Sequence, residues 1–303
     1  MNYFYYIVDV FTRSAFDGAP LAVFPEAAGL NAAQMQKIAE ELNLSESVFI
    51  SASDNSDEFK LKIFSPVEEK MFGGHAAIAA GFVLGNSEHV DLSTGSVEIS
   101  LLQKCGPVNT VITREEDGSL FIQFSRSAEA VSDRFVPSNQ QLAEMLGLEE
   151  SDISKSRYNT LLVACEQPYL IVPLSSFDAV RKAEFNFKSW STSVAPVSPA
   201  SEILVFSTKS DLVESNFHAR LLGPQISLDE DPAIGSSMPV FAAYLSEHDH
   251  VKQGTYAYTI DRGTINTRKS ILSVELINQK DKENIVRVGG PAIIVSKGSI
   301  VSP

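Results

Sequence analysis

Two segments of this sequence are apolar on almost every side of the helix that each would form. They are residues 75–84 and 237–245, and Pro239 falls in the first turn of the second, where a helix tolerates proline. A helix without a polar face is buried on all sides and does not rest on a surface. Each segment therefore predicts a helix enclosed by other elements of a large core.

Strand-like stretches surround these helices. They are rich in β-branched and aromatic residues and are bounded by glycine, proline, asparagine, aspartate or serine, which is typical of strands. The predicted strands before the middle of the chain are residues 5–11, 21–24, 47–51, 59–64, 96–101, 108–113 and 120–124. Two amphipathic helices are also predicted, at 31–42 with Asn31 as N-cap and at 140–146. The pattern predicts an α+β protein in which one unit, a curved sheet around a buried helix, occurs twice.

The domain boundary is predicted where the strand pattern stops. Serine, arginine, aspartate and proline interrupt it at residues 125–137. We therefore expect an N-terminal sheet-around-helix domain over 1–128 and a C-terminal one over 129–292, with 293–303 as a candidate to return to the first. Two last strands, 285–288 and 292–295, are predicted on either side of Gly289-Gly290-Pro291, a turn-like sequence.

Composition excludes several classes of protein. The 303 residues carry a formal net charge of −14 and no basic run, so a nucleic-acid partner is not expected. No stretch approaches the length of a membrane span, and the first residues lack the basic region of a signal peptide, so a cytoplasmic protein with no membrane partner is expected. Two cysteines, Cys105 and Cys165, are too few for a disulfide framework. The common nucleotide-binding and hydrolase signatures are absent.

Glycine turns precede both apolar helices. Gly73-Gly74-His75 opens the first, and a carboxylate suits the unpaired N–H groups of such a first turn. The alternative is a tight turn with a capping histidine. The acidic run that ends in Asp231 leads through Gly235-Ser236 into the second helix. That run resembles a site, although a solvated loop with an ordinary N-cap would have the same sequence.

Two other positions carry candidate chemistry. Glu46 lies where a helix gives way to an apolar strand, which suits a general acid and base, while the simpler interpretation is a polar residue at a strand start. His248-Asp249-His250 has alternating spacing in a polar stretch after a helix, and we predict no metal site there.

Several motifs, taken together and in order, resemble the PhzF-like (phenazine biosynthesis-like) family, which has the diaminopimelate epimerase-like fold. The matching segments are Val8-Asp9-Val10-Phe11-Thr12 with Gly18-Ala19-Pro20-Leu21-Ala22-Val23-Phe24, Asn43-Leu44-Ser45-Glu46-Ser47-Val48-Phe49, Phe64-Ser65-Pro66-Val67-Glu68 with Phe72-Gly73-Gly74-His75, Glu230-Asp231-Pro232-Ala233-Ile234-Gly235-Ser236, and Arg262-Gly263 with Val288-Gly289-Gly290. They span nearly the whole chain.

The resemblance implies a pseudo-twofold pair of domains with the active site in the cleft between them, no cofactor, and a homodimer. It implies that Glu46 is the catalytic acid and base of an isomerase acting on a small carboxylate-bearing substrate. The implied supporting groups are His75, Asp231 and Ser236, and the implied holders of the substrate carboxylate are Gly73, Gly74 and Gly235.

The sequence departs from the family pattern near the expected site. Ala19, Ala76, Ala77 and Ile234 stand where the family has polar or stiffening residues. Neither glycine turn carries the thiol that related two-cysteine racemases use. An epimerase or racemase that uses carboxylates, and a small-molecule-binding protein that has lost the chemistry, therefore stay open beside the isomerase.

Overall fold

The structure, a computed structural model, describes residues 1–87, 89–128, 131–154, 157–165, 167–193, 200, 202–224, 226, 232–248, 250–263, 267–279 and 283–303. Its strands are β1 (Asn2–Val10), β2 (Ala19–Phe24), β3 (Glu46–Ala52), β4 (Glu58–Phe64), β5 (Ser96–Gln103), β6 (Gly106–Arg114), β7 (Leu120–Ser127), β8 (Val131–Asp133), β9 (Leu161–Ala164), β10 (Pro168–Pro173), β11 (Glu202–Ser207), β12 (Phe217–Leu222), β13 (Gly254–Arg262), β14 (Ser270–Asn278) and β15 (Ile285–Val301). Its α-helices are α1 (Ala32–Leu42), α2 (Gly74–Asn86), α3 (Asn139–Leu146), α4 (Phe177–Lys182), α5 (Phe187–Thr192) and α6 (Met238–Ser246).

The chain divides into two compact units. Unit 1 comprises Met1–Arg126, Thr264–Leu272 and Arg287–Pro303, and unit 2 comprises Ser127–Gly263 and Ser273–Val286. A compact unit is not yet a domain that folds by itself. The predicted domain ranges therefore stay a prediction.

Unit 1 is a barrel of eight strands. The strands lie in the order β1 to β7 and then β15, and β15 pairs with β1 antiparallel, from Asn2 opposite Val301 to Val10 opposite Ala292. This pairing closes the sheet, so the barrel has no unpaired edge strand. Helix α2 contacts β1, β2, β3 and β6, and every residue from Gly74 to Gly85 is buried. The prediction of a sheet around the first apolar helix is confirmed.

Small residues let α2 fit inside the barrel. A Cβ on Gly81 would lie 2.8 Å from the Ile122 side chain on β7, so a larger residue at this position would push the helix away from the strand. Neighbouring helix positions are alanines that are fully buried. A helix with bulkier apolar residues would not fit into the same space, because the interior is already close-packed.

Helix α1 delivers the chain to the start of β3. Asn31 caps it as predicted, accepting a hydrogen bond from the Gln34 backbone N–H (3.0 Å), while the Gln34 side chain accepts from the Asn31 N–H (3.1 Å). The helix ends at Asn43, which takes the left-handed conformation (φ 47°) that asparagine tolerates. The chain then turns directly into Glu46.

Unit 2 repeats the pairing pattern of unit 1. From β1 to β5 the successive pairs are antiparallel, parallel, antiparallel and parallel, and the same sequence holds from β9 to β13. Helix α6 follows β12 as α2 follows β4, and every residue from Met238 to Leu245 is buried. The same supersecondary unit therefore occurs twice, as the two apolar helices predicted.

The predicted break at the end of the chain is wrong. Residues 285–301 form one strand of 17 residues, with no turn at Gly289-Gly290-Pro291. The glycines serve close packing instead: a Cβ on Gly289 would lie 2.9 Å from the Ile122 carbonyl oxygen, and one on Gly290 would lie 2.7 Å from the Phe11 ring. Sequence reasoning also missed the short helices α4 and α5 and the strands from β8 to β14.

A buried polar pair lies on neighbouring strands of unit 2. Nδ1 of His218 on β12 is 2.7 Å from Oδ2 of Asp261 on β13, and Ser210 donates a hydrogen bond to the other carboxylate oxygen (2.7 Å). The ring of Phe177 packs against the His218 ring, with 4.5 Å between the ring centroids. Burial alone would raise the pKa of Asp261, but the hydrogen bonds from His218 and Ser210 outweigh it and hold that pKa below its ordinary value.

The stability of the protein should depend on Asp261 in acid. A carboxylate whose folded pKa is depressed contributes full stability above its unfolded pKa, about 3.9 for aspartate, and loses it as pH falls through the lower folded value. Asp261→Asn should cost about 3 kcal/mol at pH 7. The difference from wild type should shrink between about pH 5 and pH 2. Urea unfolding across this pH range measures the stability difference between Asp261→Asn and wild type. Asp54→Asn, at an exposed position, is the control. A stability difference independent of pH would contradict the depressed pKa of Asp261.

Candidate active site

Glu46 and His75 form a buried pair at one end of the barrel of unit 1. Nε2 of His75 lies 3.0 Å from Oε2 of Glu46. Both residues are 6% exposed. The sequence placed these two residues in separate motifs, and the fold brings them together.

The strand and helix starts explain why the two side chains meet. Glu46 is the first residue of β3 and lies opposite Leu21 of β2, its parallel neighbour. Ser45 fixes the approach by donating a hydrogen bond to the Pro20 carbonyl oxygen (3.2 Å). Because α2 enters the barrel from the same end, His75 in its first turn faces the start of β3.

Oε2 of the Glu46 carboxylate has no hydrogen bond to any part of the chain that the structure describes. Oε2 is buried, and within the described residues no donor meets it with hydrogen-bond geometry, although His75 lies within ion-pair distance. A buried polar atom without a hydrogen bond carries a desolvation cost of about 1–3 kcal/mol. An atom kept in this state is suited to accept or deliver a proton when a bound molecule supplies the partner.

Gly73 provides space beside this carboxylate. It is the N-cap of α2 in an extended conformation (φ −136°, ψ 103°), and a Cβ on it would lie 3.0 Å from Glu46 Oε2 and 2.9 Å from the Ala76 Cβ. Its N–H donates to Gln103 Oε1 (2.9 Å), and Gln103 Nε2 donates to its carbonyl oxygen (3.3 Å). The contribution of Gly73 is therefore the absence of a side chain, because its N–H is already bonded.

Gln103 is the residue that sequence reasoning missed. It is 7% exposed and ends β5, where Ile99, Leu101 and Gln103 alternate as the inward-facing positions. A glutamine that continues an inward apolar alternation is a buried polar group that needs partners, and that signal was present in the sequence.

The remaining predicted site residues fall into three groups. Gly74 is buried as the first residue of α2, beside the pair. Gly235 and half-buried Ser236 belong to unit 2, in a short 3-10 helix (Gly235–Ser237) that leads into α6. Asp231 lies outside the described residues.

Other candidate chemistry is accounted for by local contacts. His248 is buried, with Nδ1 2.9 Å from the Tyr244 carbonyl oxygen and Nε2 accepting from the Asn159 N–H at 3.4 Å. No group of three metal-ligating side chains occurs among the described residues, and Asp249 lies outside them. Both cysteines are free thiols, and burial raises the pKa of Cys105, which favours its neutral form.

Within the described chain, no helix is both long and apolar enough to cross a membrane.

Comparison with known proteins identifies the family. The sequence model of the family described as "phenazine biosynthesis-like protein" (PhzC-PhzF) matches residues 8–298, nearly the entire chain. The chain belongs to this phenazine biosynthesis-like family. The fold agrees: a PhzF-family protein of Bacillus anthracis has a TM-score of 0.86 at 19% identity, covering 99% of each chain. A hydroxyproline epimerase of Agrobacterium vitis shares the fold more distantly, with a TM-score of 0.65 at 11% identity over 100% of this chain and 93% of its own.

Relatives within the family are named as isomerases. An uncharacterized isomerase of Mesorhizobium japonicum is 29% identical over 98% of both chains. The trans-2,3-dihydro-3-hydroxyanthranilate isomerase of Pseudomonas fluorescens is 25% identical over 98% of this chain and 99% of its own. This member of the phenazine biosynthesis-like family is likewise an isomerase, and the predicted family, fold class and enzyme class are confirmed.

A methyl group on Gly73 should disturb the pair. Gly73→Ala places a Cβ against Glu46 Oε2 and Ala76, so unfolding free energy should fall by about 1–3 kcal/mol. Ala76→Gly removes the tightest of the three overlaps, the third being with Ile63 Cδ1 at 3.0 Å, at a cost of about 1 kcal/mol by itself. In a double-mutant cycle by urea unfolding, the combined variant should be more stable than additivity predicts by about 1 kcal/mol. Strict additivity would show that the overlap is relieved elsewhere.

Proposed function

We propose that this protein catalyses a proton-shift isomerisation of a small carboxylate-bearing molecule, with Glu46 as general acid and base and without a cofactor. The observation that carries the proposal is the buried Glu46 Oε2, which has no hydrogen bond among the described residues and lies 3.0 Å from His75 Nε2. A base must reach a proton on carbon directly, and an oxygen already occupied by protein donors would be a poorer acceptor.

The reaction needs only one proton to move. The Glu46 carboxylate removes a proton from one carbon, the electron pair of that C–H bond shifts a double bond, and the protonated Glu46 returns the proton to another carbon on the same face. The atoms of substrate and product are identical, so the reaction consumes no oxidant or reductant. His75, 3.0 Å from Glu46 Oε2, orients the carboxyl group through both transfers.

The remaining predicted residues are proposed to hold the substrate. Gly74 opens α2, and the N-terminus of a helix favours an anion by about 0.3–1 kcal/mol, more when partly buried. Gly235 is proposed to do the same at the start of α6, and Asp231 and Ser236 are proposed to assist proton transfer. A local site of this kind suits a chain whose net charge of −14 would otherwise repel a carboxylate.

The substrate class follows from the relatives. One of them is named for trans-2,3-dihydro-3-hydroxyanthranilate, an unsaturated cyclic amino acid with a carboxylate. We propose an unsaturated hydroxy- or amino-carboxylate for this chain as well. The alanines at positions 19, 76 and 77 and Ile234 replace polar or stiffening residues of the family pattern, which favours a different member of that class.

Glu46→Gln should abolish isomerisation. The amide keeps the shape of the side chain but cannot take a proton, so turnover should fall by at least about 100-fold. Proton NMR in D₂O with a panel of such carboxylates, including trans-2,3-dihydro-3-hydroxyanthranilate, follows product and deuterium uptake together. Glu98→Gln, an exposed carboxylate on β5, is the matched control and should keep wild-type turnover.

Three other results would replace the proposal. Full turnover by Glu46→Gln would remove Glu46 from the mechanism. Inversion at one carbon without movement of the double bond would indicate an epimerase or racemase. Binding without conversion, unchanged in the variant, would indicate a protein that kept the fold and lost the chemistry.

We also propose that the protein is a cytoplasmic homodimer, as the family resemblance implies. An exposed aromatic side chain on β1, Phe4, supports an interface by offering apolar area (47% exposed) beside Tyr6. Sedimentation equilibrium should give twice the chain mass of 33.0 kDa. Phe4→Lys should shift the equilibrium toward monomer, and a monomeric wild type at all concentrations would contradict the proposal.

A further inference from the structure

We infer that Gln103 is a positioning residue for the acid–base pair, acting through the backbone of Gly73. The inference rests on the proposed function of Glu46. Gln103 does not contact Glu46 or His75 through any hydrogen bond of the described chain, and both of its amide atoms bond to Gly73. Its effect on the reaction must therefore pass through that glycine.

The two hydrogen bonds fix consecutive peptide planes. The Gly73 N–H belongs to the peptide that joins it to Phe72, and it donates to Gln103 Oε1 at 2.9 Å. The Gly73 carbonyl belongs to the next peptide and accepts from Gln103 Nε2 at 3.3 Å. One side chain thus restrains both dihedral angles of a residue that, as glycine, has the widest backbone freedom of any amino acid.

The restrained Gly73 carbonyl also accepts a hydrogen bond from the first turn of α2. The Gly73 oxygen accepts the Ala77 N–H at 3.0 Å, so rotation of its peptide would move the helix start and His75 with it. On its other side the Gly73 α-carbon adjoins Glu46 Oε2, which a Cβ would approach to 3.0 Å. The position of His75 against Glu46 therefore depends on how Gly73 is held.

The tip of the hairpin between β5 and β6 supports the same segment. Next to Gln103, the Cys105 N–H donates to the Met71 carbonyl oxygen at 3.1 Å, and Lys104 lies 3.4 Å from the Glu69 carboxylate. Of these contacts, only the two bonds from Gln103 are made to Gly73, the residue next to Glu46 and His75, and both bonds are buried. A displacement of about 1 Å in a catalytic group can cost about 100-fold in rate.

Gln103→Leu tests the inference because it keeps the volume and removes both hydrogen bonds. We expect kcat on the substrate of the Glu46 assay to fall about 100-fold while KM changes less than about threefold. Gln123→Leu is the control, a half-buried glutamine on β7 for which the described chain shows no side-chain hydrogen bond. If Gln103 only satisfies buried polar groups, Gln103→Leu will lower stability but leave kcat of the folded protein within about twofold, and the inference is overturned.

Gln103→Glu supplies a conservative rescue. The protonated acid can accept from the Gly73 N–H and donate to its carbonyl, as the amide does, whereas the ionised carboxylate faces that carbonyl with no proton to give. The ratio of its kcat to that of wild type should therefore rise as pH falls, within the range where circular dichroism shows the variant folded. The ratio for Gln103→Leu should stay flat with pH. A flat ratio for both variants would contradict the inference.

Two NMR measurements need no turnover, so they separate this inference from the proposed function. In ¹⁵N-labelled protein, the Gly73 amide should exchange at least about tenfold faster in Gln103→Leu than in wild type. In protein labelled at glutamate carboxyl carbons, the Glu46 resonance should shift in the same variant and stay unchanged in Gln123→Leu. If both signals match wild type, Gln103 does not position the pair. If both change while Glu46→Gln retains full turnover, the positioning stands and the proposed function fails.

Discussion

The structure of unit 1 depends on burying an apolar helix inside a closed barrel. Every residue of α2 from Gly74 to Gly85 is removed from water, and the antiparallel pair of β1 with β15 closes the sheet around it. Such burial is the main favourable term in folding. It also fixes where polar groups can lie, because a helix without a polar face can place them only at its ends.

The position of the Glu46–His75 pair follows from this limit on where the helix can carry polar groups. The first turn of α2 opens at the end of the barrel where β2 and β3 begin, and the first residue of β3 is Glu46. His75 and Gly73 meet the carboxylate there because β4 runs antiparallel to β3, ends where β3 begins and leads to the helix. A buried glutamate with an oxygen that finds no hydrogen bond among the described residues is costly by itself, and the closed barrel supplies the stability that tolerates it.

The repeated pairing pattern shows how the family's fold is built. Strands β9 to β13 follow the same order of antiparallel and parallel pairs as β1 to β5, and α6 is buried as α2 is. The two units differ in their polar contacts. Unit 1 pairs Glu46 at the start of β3 with His75 at the start of its helix, whereas unit 2 pairs the buried His218 on β12 with Asp261 on β13. One scaffold therefore supports different polar contacts in its two copies.

The sequence by itself determined the two buried helices, one helix cap and most strands in the first half of the chain. The two apolar helices, the Asn31 cap and the junction at Glu46 follow from local patterns, since periodicity and capping depend on neighbours within a few residues. Only the tertiary structure decided that Glu46 and His75 lie 3.0 Å apart, that Gln103 holds both polar atoms of Gly73, and that Gly289 and Gly290 continue a strand. Those facts depend on which distant strands become neighbours, and a glycine that allows close packing has the same local sequence as one that makes a turn.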